Sequence, residues 1–110
     1  MVVGIATGGV VPASLAAYKL ERPFTLLHIN YRAEDNTPQR DAPILQKETA
    51  VPLPPKRILL VDDVSVSGQT IDLARRMLSD HYVFTLVLIG TADYVLFPEI
   101  KTCVQWPWQL

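Results

Sequence analysis

The sequence is poor in cysteine, in net charge and in long apolar runs, and each shortage argues against a class of protein. The single cysteine, Cys103, cannot form a disulfide within the chain, so nothing indicates an oxidising compartment and we expect a cytoplasmic protein. The formal net charge of −1 provides no basic field for nucleic acid or acidic membranes. No apolar run reaches membrane-spanning length. We therefore expect small-molecule partners, with no nucleic acid and no membrane.

The composition is otherwise that of an ordinary globular protein. With 110 residues, of which 49% are apolar, the chain has room for one domain, which we predict over residues 1–110. The chain opens directly on an apolar strand, which leaves open whether a covering helix is missing before it.

Apolar strands and helices alternate along the chain. Short apolar runs predict strands over residues 2–6, 25–30, 57–62 and 83–90. Good helix formers after Pro12 predict a helix over residues 13–20, and apolar positions at helical spacing predict another over residues 68–78. Residues 31–55 are polar and rich in proline, so we expect a flexible loop with room for a hairpin. This order predicts an α/β fold, a Rossmann-like parallel sheet of about four or five strands flanked by helices.

Polar residues follow two of the predicted strands. Asp62 and Asp63 end one strand, and the turn Thr7–Gly9 ends another. Ligands of open parallel sheets bind beyond the carboxyl ends of the strands, so we expect these two segments to converge on one crevice. Two adjacent carboxylates are suited to hold vicinal hydroxyls or a magnesium ion.

The turn from Ser65 to Thr70 opens the second predicted helix. Unpaired backbone N–H groups and the positive end of the helix dipole favour an anion there, and the hydroxyls of Ser67 and Thr70 add donors. Gly68 has no Cβ to block a close approach to the backbone. We predict a phosphate monoester site, while the missing Gly-Lys-Ser/Thr sequence argues against a nucleoside triphosphatase loop.

A simpler interpretation fits each of these residues alone. Ser65 or Ser67 could cap the helix, and Asp62 and Asp63 could be turn residues without a ligand. All the features nevertheless fall between Ile58 and Thr70, and their combination favours a binding site.

The run VDDVSVSGQT resembles the phosphoribosyl pyrophosphate (PRPP) signature of type I phosphoribosyltransferases. The segment GIATGGVVPASLA is similar to the strand, loop and helix that bind pyrophosphate in that family, and Asn30-Tyr31 lies where the flexible active-site loop begins. The tail DYVLFPEIKTCVQWPW resembles the base-binding hood of the xanthine-guanine branch. The resemblance therefore implies a reduced C-terminal hood over residues 91–110.

The resemblance also implies a reaction and a set of residues. Family members displace pyrophosphate from ribose C1 of PRPP by a base nitrogen, through a transition state with oxocarbenium character. The implied catalytic residues are Asp62 and Asp63, which would bind the ribose hydroxyls directly or through Mg²⁺. The implied 5-phosphate loop is Ser65, Val66, Ser67, Gly68, Gln69 and Thr70, the pyrophosphate loop is Thr7, Gly8 and Gly9, and the base would stack on Trp106 or Trp108.

Three departures from the family pattern bear on activity. Val66 stands where 6-oxopurine enzymes usually carry an aspartate that handles the N7 proton, and Thr7 stands where a basic residue is common. The passage from Ile89 to Asp93 is short and lacks the lysine that contacts the exocyclic oxygen in purine members. Trp106 and Trp108 have an alternative role in closing the core or a dimer interface.

Three functional hypotheses follow. The first is a magnesium-dependent phosphoribosyltransferase acting on a purine-like base, expected as a homodimer or higher homo-oligomer. The second is a regulatory module that binds PRPP or a nucleotide with weak or no turnover, which Val66 and Thr7 favour. The third is a structural subunit that pairs with another chain through its apolar tail.

Overall fold

The computed structural model describes residues 1–30, 44–47, 56–102 and 104–108 of the chain. Most of the predicted flexible loop over residues 31–55 lies outside the described residues, and so does Cys103.

Six strands and two helices make up the described chain. In order they are β1 (Val2–Ala6), α1 (Val10–Leu20), β2 (Phe24–Asn30), β3 (Ile44–Lys47), β4 (Arg57–Ser65), α2 (Gln69–Met77), β5 (Tyr82–Gly90) and β6 (Tyr94–Val95). The four predicted strands and both predicted helices are present. β3 lies in the segment predicted as a loop with room for a hairpin, and it pairs antiparallel with β2. β6 was not predicted.

The strands form one sheet in the order β3-β2-β1-β4-β5-β6. Five strands run parallel, and β3 alone of the described strands runs against its neighbour. β1 is buried on both faces, as its unbroken apolar sequence requires of a central parallel strand. The predicted α/β fold with a parallel sheet is confirmed.

One helix covers each face of the sheet. On α1, Ala13 and Ala17 are small enough to let the helix lie close to Val2 and Val61. On the other face, Ile71 and Ala74 of α2 and Leu78 at its C-cap are spaced as one helical face, and they complete the largest apolar cluster of the core. That cluster also contains Val3, Ile5, Leu27, Ile29, Ile58, Leu60 and Val87. Neither described helix is long and apolar enough to cross a membrane.

The tail folds back on the end of β5. The N–H groups of Leu96 and Phe97 donate to the carbonyls of Val87 and Leu88, at 3.0 and 2.8 Å. Further along, Trp106 is buried against Leu88 and Ile89. The tail therefore closes one end of the core, beside the carboxyl end of the sheet.

β4 is longer than its apolar pattern indicates. We expected Asp62 and Asp63 to end the strand, but β4 continues to Ser65 by pairing with β5. Pairing with β1, on the other side, stops at Val61. The strand end predicted at residue 62 was therefore wrong by three residues, because backbone pairing with β5 continues where the apolar side chains stop. Both acids still lie beyond the last residue that pairs with β1.

Candidate ligand-binding site

The turn after β1 and the acids of β4 come together as predicted. A Cβ added at Gly8 would lie 2.5 to 2.6 Å from the carboxyl atoms of Asp63, so the carboxyl group of Asp63 occupies the space beside this glycine. Gly9 lies equally close to backbone, because a Cβ there would be 2.5 Å from the carbonyl oxygen of Val61 and 2.6 Å from that of Ile5. The turn thus rests directly on β4, and the two segments meet beyond the paired residues of β1 and β4, where the crevice was predicted.

The two acids differ in environment. Asp62 is 8% exposed, and its carboxylate Oδ1 accepts a hydrogen bond from the backbone N–H of Asp63 at 2.8 Å. Burial raises the pKa of Asp62 well above its ordinary value, and the nearby charge of Asp63 raises it further. Asp63 is only partly buried, and its Oδ1 accepts from the N–H of Val64 at 2.7 Å. Asp63 is therefore the more exposed acid of the pair, and its carboxyl group faces the glycine turn.

The turn before α2 keeps the backbone donors of the helix available. Gly68 occupies the N-cap with φ of 80°, and no side chain caps the helix. Ser67 accepts only a long bond, 3.4 Å, from the N–H of Gln69. The helix-cap alternative is therefore wrong for Ser65 and weak for Ser67. Asp72 lies in the first turn of α2, and its negative charge would repel an anion bound at this end of the helix.

A polar cleft of about 390 Å³ opens beside this turn. One wall runs along the turn and α2, and the other is formed by the residues between β5 and β6. Val66 stands on its rim with 86% of its surface exposed. The cleft is lined by Ser65, Val66, Ser67, Gly68, Ile71, Asp72, Arg75, Thr85, Thr91, Ala92 and Asp93.

Arg75, Thr85 and Asp93 form a cluster that sequence reasoning missed. Asp93 Oδ2 accepts from Arg75 Nη2 at 3.0 Å and from the Thr85 N–H at 2.9 Å. The bond from the Thr85 N–H lowers the pKa of Asp93 most, with further lowering from the Thr85 hydroxyl and Arg75. The sequence feature that could have pointed to this cluster is Thr85, since it is a polar residue in an otherwise apolar strand.

Thr7, Trp106 and Trp108, which were also predicted, are not among the residues that line the cleft. Thr7 is exposed and follows a cis peptide bond from Ala6. Trp106 is 9% exposed and belongs to the core, which favours the core-closing alternative for it. Trp108 is half-buried and stacks on Trp106, with ring centroids 5.3 Å apart and planes 2° from parallel. Of the two indoles, Trp108 is the better placed to offer a face to a base, and stacking on a base stays a prediction for both.

Asp62 and Asp63 are suited to a shared magnesium site rather than to an all-protein one. Among the described residues, no three histidine, cysteine or acidic side chains form a group that could hold a metal ion. Magnesium is commonly bound through one or two carboxylates together with substrate oxygens and water. Two adjacent carboxyl groups at a crevice therefore fit Mg²⁺ only together with a ligand.

A parallel α/β sheet with helices on both faces and polar segments where its central strands end defines a Rossmann-like domain. The sequence matches the phosphoribosyl transferase domain family over residues 1–107, and the chain belongs to that family. The family predicted from the PRPP-like motif is thereby confirmed. No curated protein matches the chain.

Three solved structures are similar to this chain. Purine phosphoribosyltransferase from Pyrococcus horikoshii Ot3 is 21% identical with a TM-score of 0.71, over 86% of this chain and 66% of that one. Orotate phosphoribosyltransferase from Aeropyrum pernix is 26% identical with a TM-score of 0.56, over 84% and 49%. A protein from Neisseria gonorrhoeae with bound ppGpp is 28% identical with a TM-score of 0.59, over 89% and 61%. This chain thus spans about half to two thirds of the length of these structures.

The two glycines of the first turn should respond differently to a methyl group. We expect Gly9→Ala to lower the free energy of unfolding by about 3 kcal/mol, because its Cβ would meet fixed backbone of β1 and β4. Gly8→Ala should cost about 1 kcal/mol or less, because only the Asp63 side chain must move. Urea denaturation measures both values. Equal losses of unfolding free energy in the two variants would contradict the close packing of Gly9 against β4.

Burial of Asp62 predicts a pH-dependent gain in stability for Asp62→Asn. The raised pKa means that the folded chain retains a proton that the unfolded chain loses, so wild-type stability falls as pH rises above about 4. Asparagine removes this penalty and can still accept the Asp63 N–H. Urea denaturation between pH 4 and 8 should therefore show a gain that grows with pH and levels off above the folded-state pKa.

Asp80→Asn is the control for charge, since Asp80 is exposed in the turn after α2, at the other end of the sheet. It should change stability by less than about 0.5 kcal/mol. Destabilisation by Asp62→Asn at pH 7 would mean that the site stabilises the ionised Asp62 carboxylate.

Proposed function

We propose that this chain transfers the 5-phosphoribosyl group of PRPP to a purine-like base and releases pyrophosphate. The observation that carries the proposal is the contact of Gly8 with the carboxyl group of Asp63. It joins the segment that resembles the family's pyrophosphate loop to the segment that resembles its ribose-binding acids. A ligand with a phosphate, a ribose and a pyrophosphate in sequence fits such a crevice.

Each segment has a separate proposed task. Asp63 accepts hydrogen bonds from the ribose hydroxyls, and Asp62 supports it from the buried side by accepting the Asp63 N–H. The turn from Ser65 to Thr70 receives the 5-phosphate through the uncapped N–H groups of α2 and the Ser67 and Thr70 hydroxyls. Thr7 and Gly8 meet the pyrophosphate with backbone amides, since no basic side chain stands in this turn and the Gly9 N–H already donates to the Ile5 carbonyl at 2.7 Å.

The proposed catalysis consists of positioning and charge stabilisation. As C1 of the ribose becomes positive, the negative charge of Asp63 in the crevice stabilises it. Asp62 and Asp63 would hold Mg²⁺ together with PRPP, and bound Mg²⁺ would neutralise charge on the leaving pyrophosphate. Val66 has no proton to give or take, so the base must lose its proton without help from that position.

A purine-like base is supported by two observations. The tail resembles the hood of the xanthine-guanine branch, and a similar solved structure is a purine phosphoribosyltransferase. Within the tail, Trp108 is the aromatic side chain proposed to stack on the base. The orotate enzyme among the similar structures makes a pyrimidine acid the competing substrate.

A second function, a binding module without turnover, is favoured by Val66. This exposed apolar side chain stands where acid-base help is usually found, and such help is commonly worth about 10²- to 10⁴-fold in rate. The Neisseria gonorrhoeae protein contains bound ppGpp, which makes a guanine nucleotide the ligand to test for this alternative.

We also propose that the chain acts in the cytoplasm as a homodimer or higher homo-oligomer. Tyr82 and Phe84 lie on the face of β5 that also carries Leu86, and they are 65% and 47% exposed. Tyr94 pairs with Leu86 and is 57% exposed. α1 covers only the other half of this face, so these aromatic side chains are available to a second copy.

The proposed reaction is tested by incubating the protein with PRPP, Mg²⁺ and a panel of purine and pyrimidine bases. We expect pyrophosphate release that depends on a 6-oxopurine. Asp63→Asn should lower kcat/KM for PRPP at least about tenfold, equivalent to about 1.4 kcal/mol, because it removes the charge facing the ribose. Asp80→Asn, remote from the crevice, should change it less than about twofold. A folded protein that releases no pyrophosphate with any base would refute the enzymatic proposal.

Val66→Asp separates the enzyme from the binding module. If transfer is limited by the missing acid-base residue, the aspartate should raise kcat with hypoxanthine or guanine by about tenfold or more. Val66→Asn is the matched control, because asparagine has the shape of aspartate but no titratable group. It should leave kcat unchanged. Calorimetric binding of PRPP or ppGpp by wild type, together with no turnover in either variant, would favour the module instead.

A further inference from the structure

The connection between β5 and β6 is unusually short for parallel strands. A crossover between parallel strands ordinarily needs a dozen or more residues, but here residues 91–93 suffice. Tyr94 pairs with Leu86, four residues before the end of β5 at Gly90, so the chain must reverse at once and run back along the strand. Something must hold this reversal in place.

Asp93 fixes the end of the connection that leads into β6. Its Oδ2 accepts from the Thr85 N–H at 2.9 Å, from the Thr85 hydroxyl at 3.2 Å and from Arg75 Nη2 at 3.0 Å. Its own N–H donates to Thr85 Oγ1 at 2.9 Å, and Arg75 Nη2 also reaches that oxygen at 3.3 Å. Thr85 is fully buried, so these bonds fix the connection to the middle of β5.

The other end of the connection, which leaves β5 at Thr91, is fixed to Ser65, at the beginning of the turn before α2. The N–H of Thr91 donates to the carbonyl oxygen of Ser65 at 2.8 Å. Gly90, with φ of 113°, lies so close that a Cβ would overlap this oxygen. Ser65 is the last residue of β4 and the first of the proposed 5-phosphate loop.

Arg75 links the same connection to the body of α2. Gly68, Ile71, Asp72 and Arg75 lie on one side of the helix at spacings of three and four residues, and all line the cleft. The segment from Gly90 to Asp93 therefore contacts the residue before the turn and the helix after it.

We propose that Asp93 is a positioning residue for the phosphate site: through Arg75 and Thr85 it fixes α2 and the β5–β6 connection relative to Ser65. The turn between Ser65 and α2 then keeps the shape in which its N–H groups converge. This inference rests on the proposed function, because it takes the ligand phosphate to bind at that turn. Asp93 acts through the backbone and need not touch the ligand.

The first test measures amide hydrogen exchange in the ligand-free protein. The N–H of Thr91, bonded to Ser65, and that of Asp72, bonded to the Gly68 carbonyl at 2.8 Å, report the two anchored ends. We expect Asp93→Asn to speed their exchange about tenfold while the amides of β1 stay unchanged. Arg75→Gln should give the same pattern. The double variant should add little, because both residues act through one cluster.

Arg76→Gln is the matched control, since Arg76 is exposed on the next position of α2 and has no part in the cluster. It should leave both amides unchanged. The second test is calorimetric titration with PRPP, for which we expect Asp93→Asn to raise Kd about five- to tenfold and Arg76→Gln to change it less than twofold.

The outcomes separate this inference from the proposed function. If wild type binds PRPP and Asp93→Asn binds it equally well, Asp93 has only a structural role and the inference is wrong. Exchange that rises uniformly through the whole domain would overturn it too, because that pattern reports global destabilisation. If wild type neither binds PRPP nor releases pyrophosphate but Asp93→Asn still speeds exchange at Thr91 and Asp72 alone, the proposed function fails and the anchoring by Asp93 stands.

Discussion

The candidate site depends on the close approach of the two glycines of the first turn, Gly8 and Gly9, to the strand beside them. β1 and β4 are neighbours in the sheet, and Gly9 fills the gap between the end of one and the backbone of the other. Any side chain at Gly9 would push the turn away from Val61. The carboxyl group of Asp63 would then lose the surface of Gly8 against which it lies. Apolar strand pairing thus brings the two segments near each other, and the missing Cβ atoms let them touch.

The alternation of side chains along β4 explains why Asp62 and Asp63 lie in different environments. Successive residues of a strand point to opposite faces, so Asp62 and Asp63 enter different surroundings. The buried face raises the pKa of Asp62, whereas Asp63 turns toward the crevice and the glycine turn. The neighbouring charge of Asp63 further raises the pKa of Asp62.

Sequence reasoning predicted the parts of the fold that depend on local pattern. The central strands are unbroken apolar runs, and α2 has apolar residues at helical spacing, so both could be recognised without tertiary information. The extension of β4 to Ser65 could not, because it depends on pairing with β5. Asp93 was missed for a similar reason: its partners Thr85 and Arg75 are distant in sequence and meet only after the chain reverses at Gly90. Trp106 could be interpreted either as a ligand contact or as core, and only its burial against Leu88 and Ile89 favours the core.

Binding and turnover place different demands on this site. Binding needs backbone amides, glycines and carboxylates, and these arise from the turns that the sheet brings together. Proton transfer instead needs one titratable side chain at one point of the rim, where Val66 stands almost fully exposed. Because that side chain supports no other part of the fold, a substitution there can change the rate of transfer without disturbing the crevice. Under the proposed function, the crevice can therefore keep the proposed ligand while the rate of transfer varies with the residue at position 66.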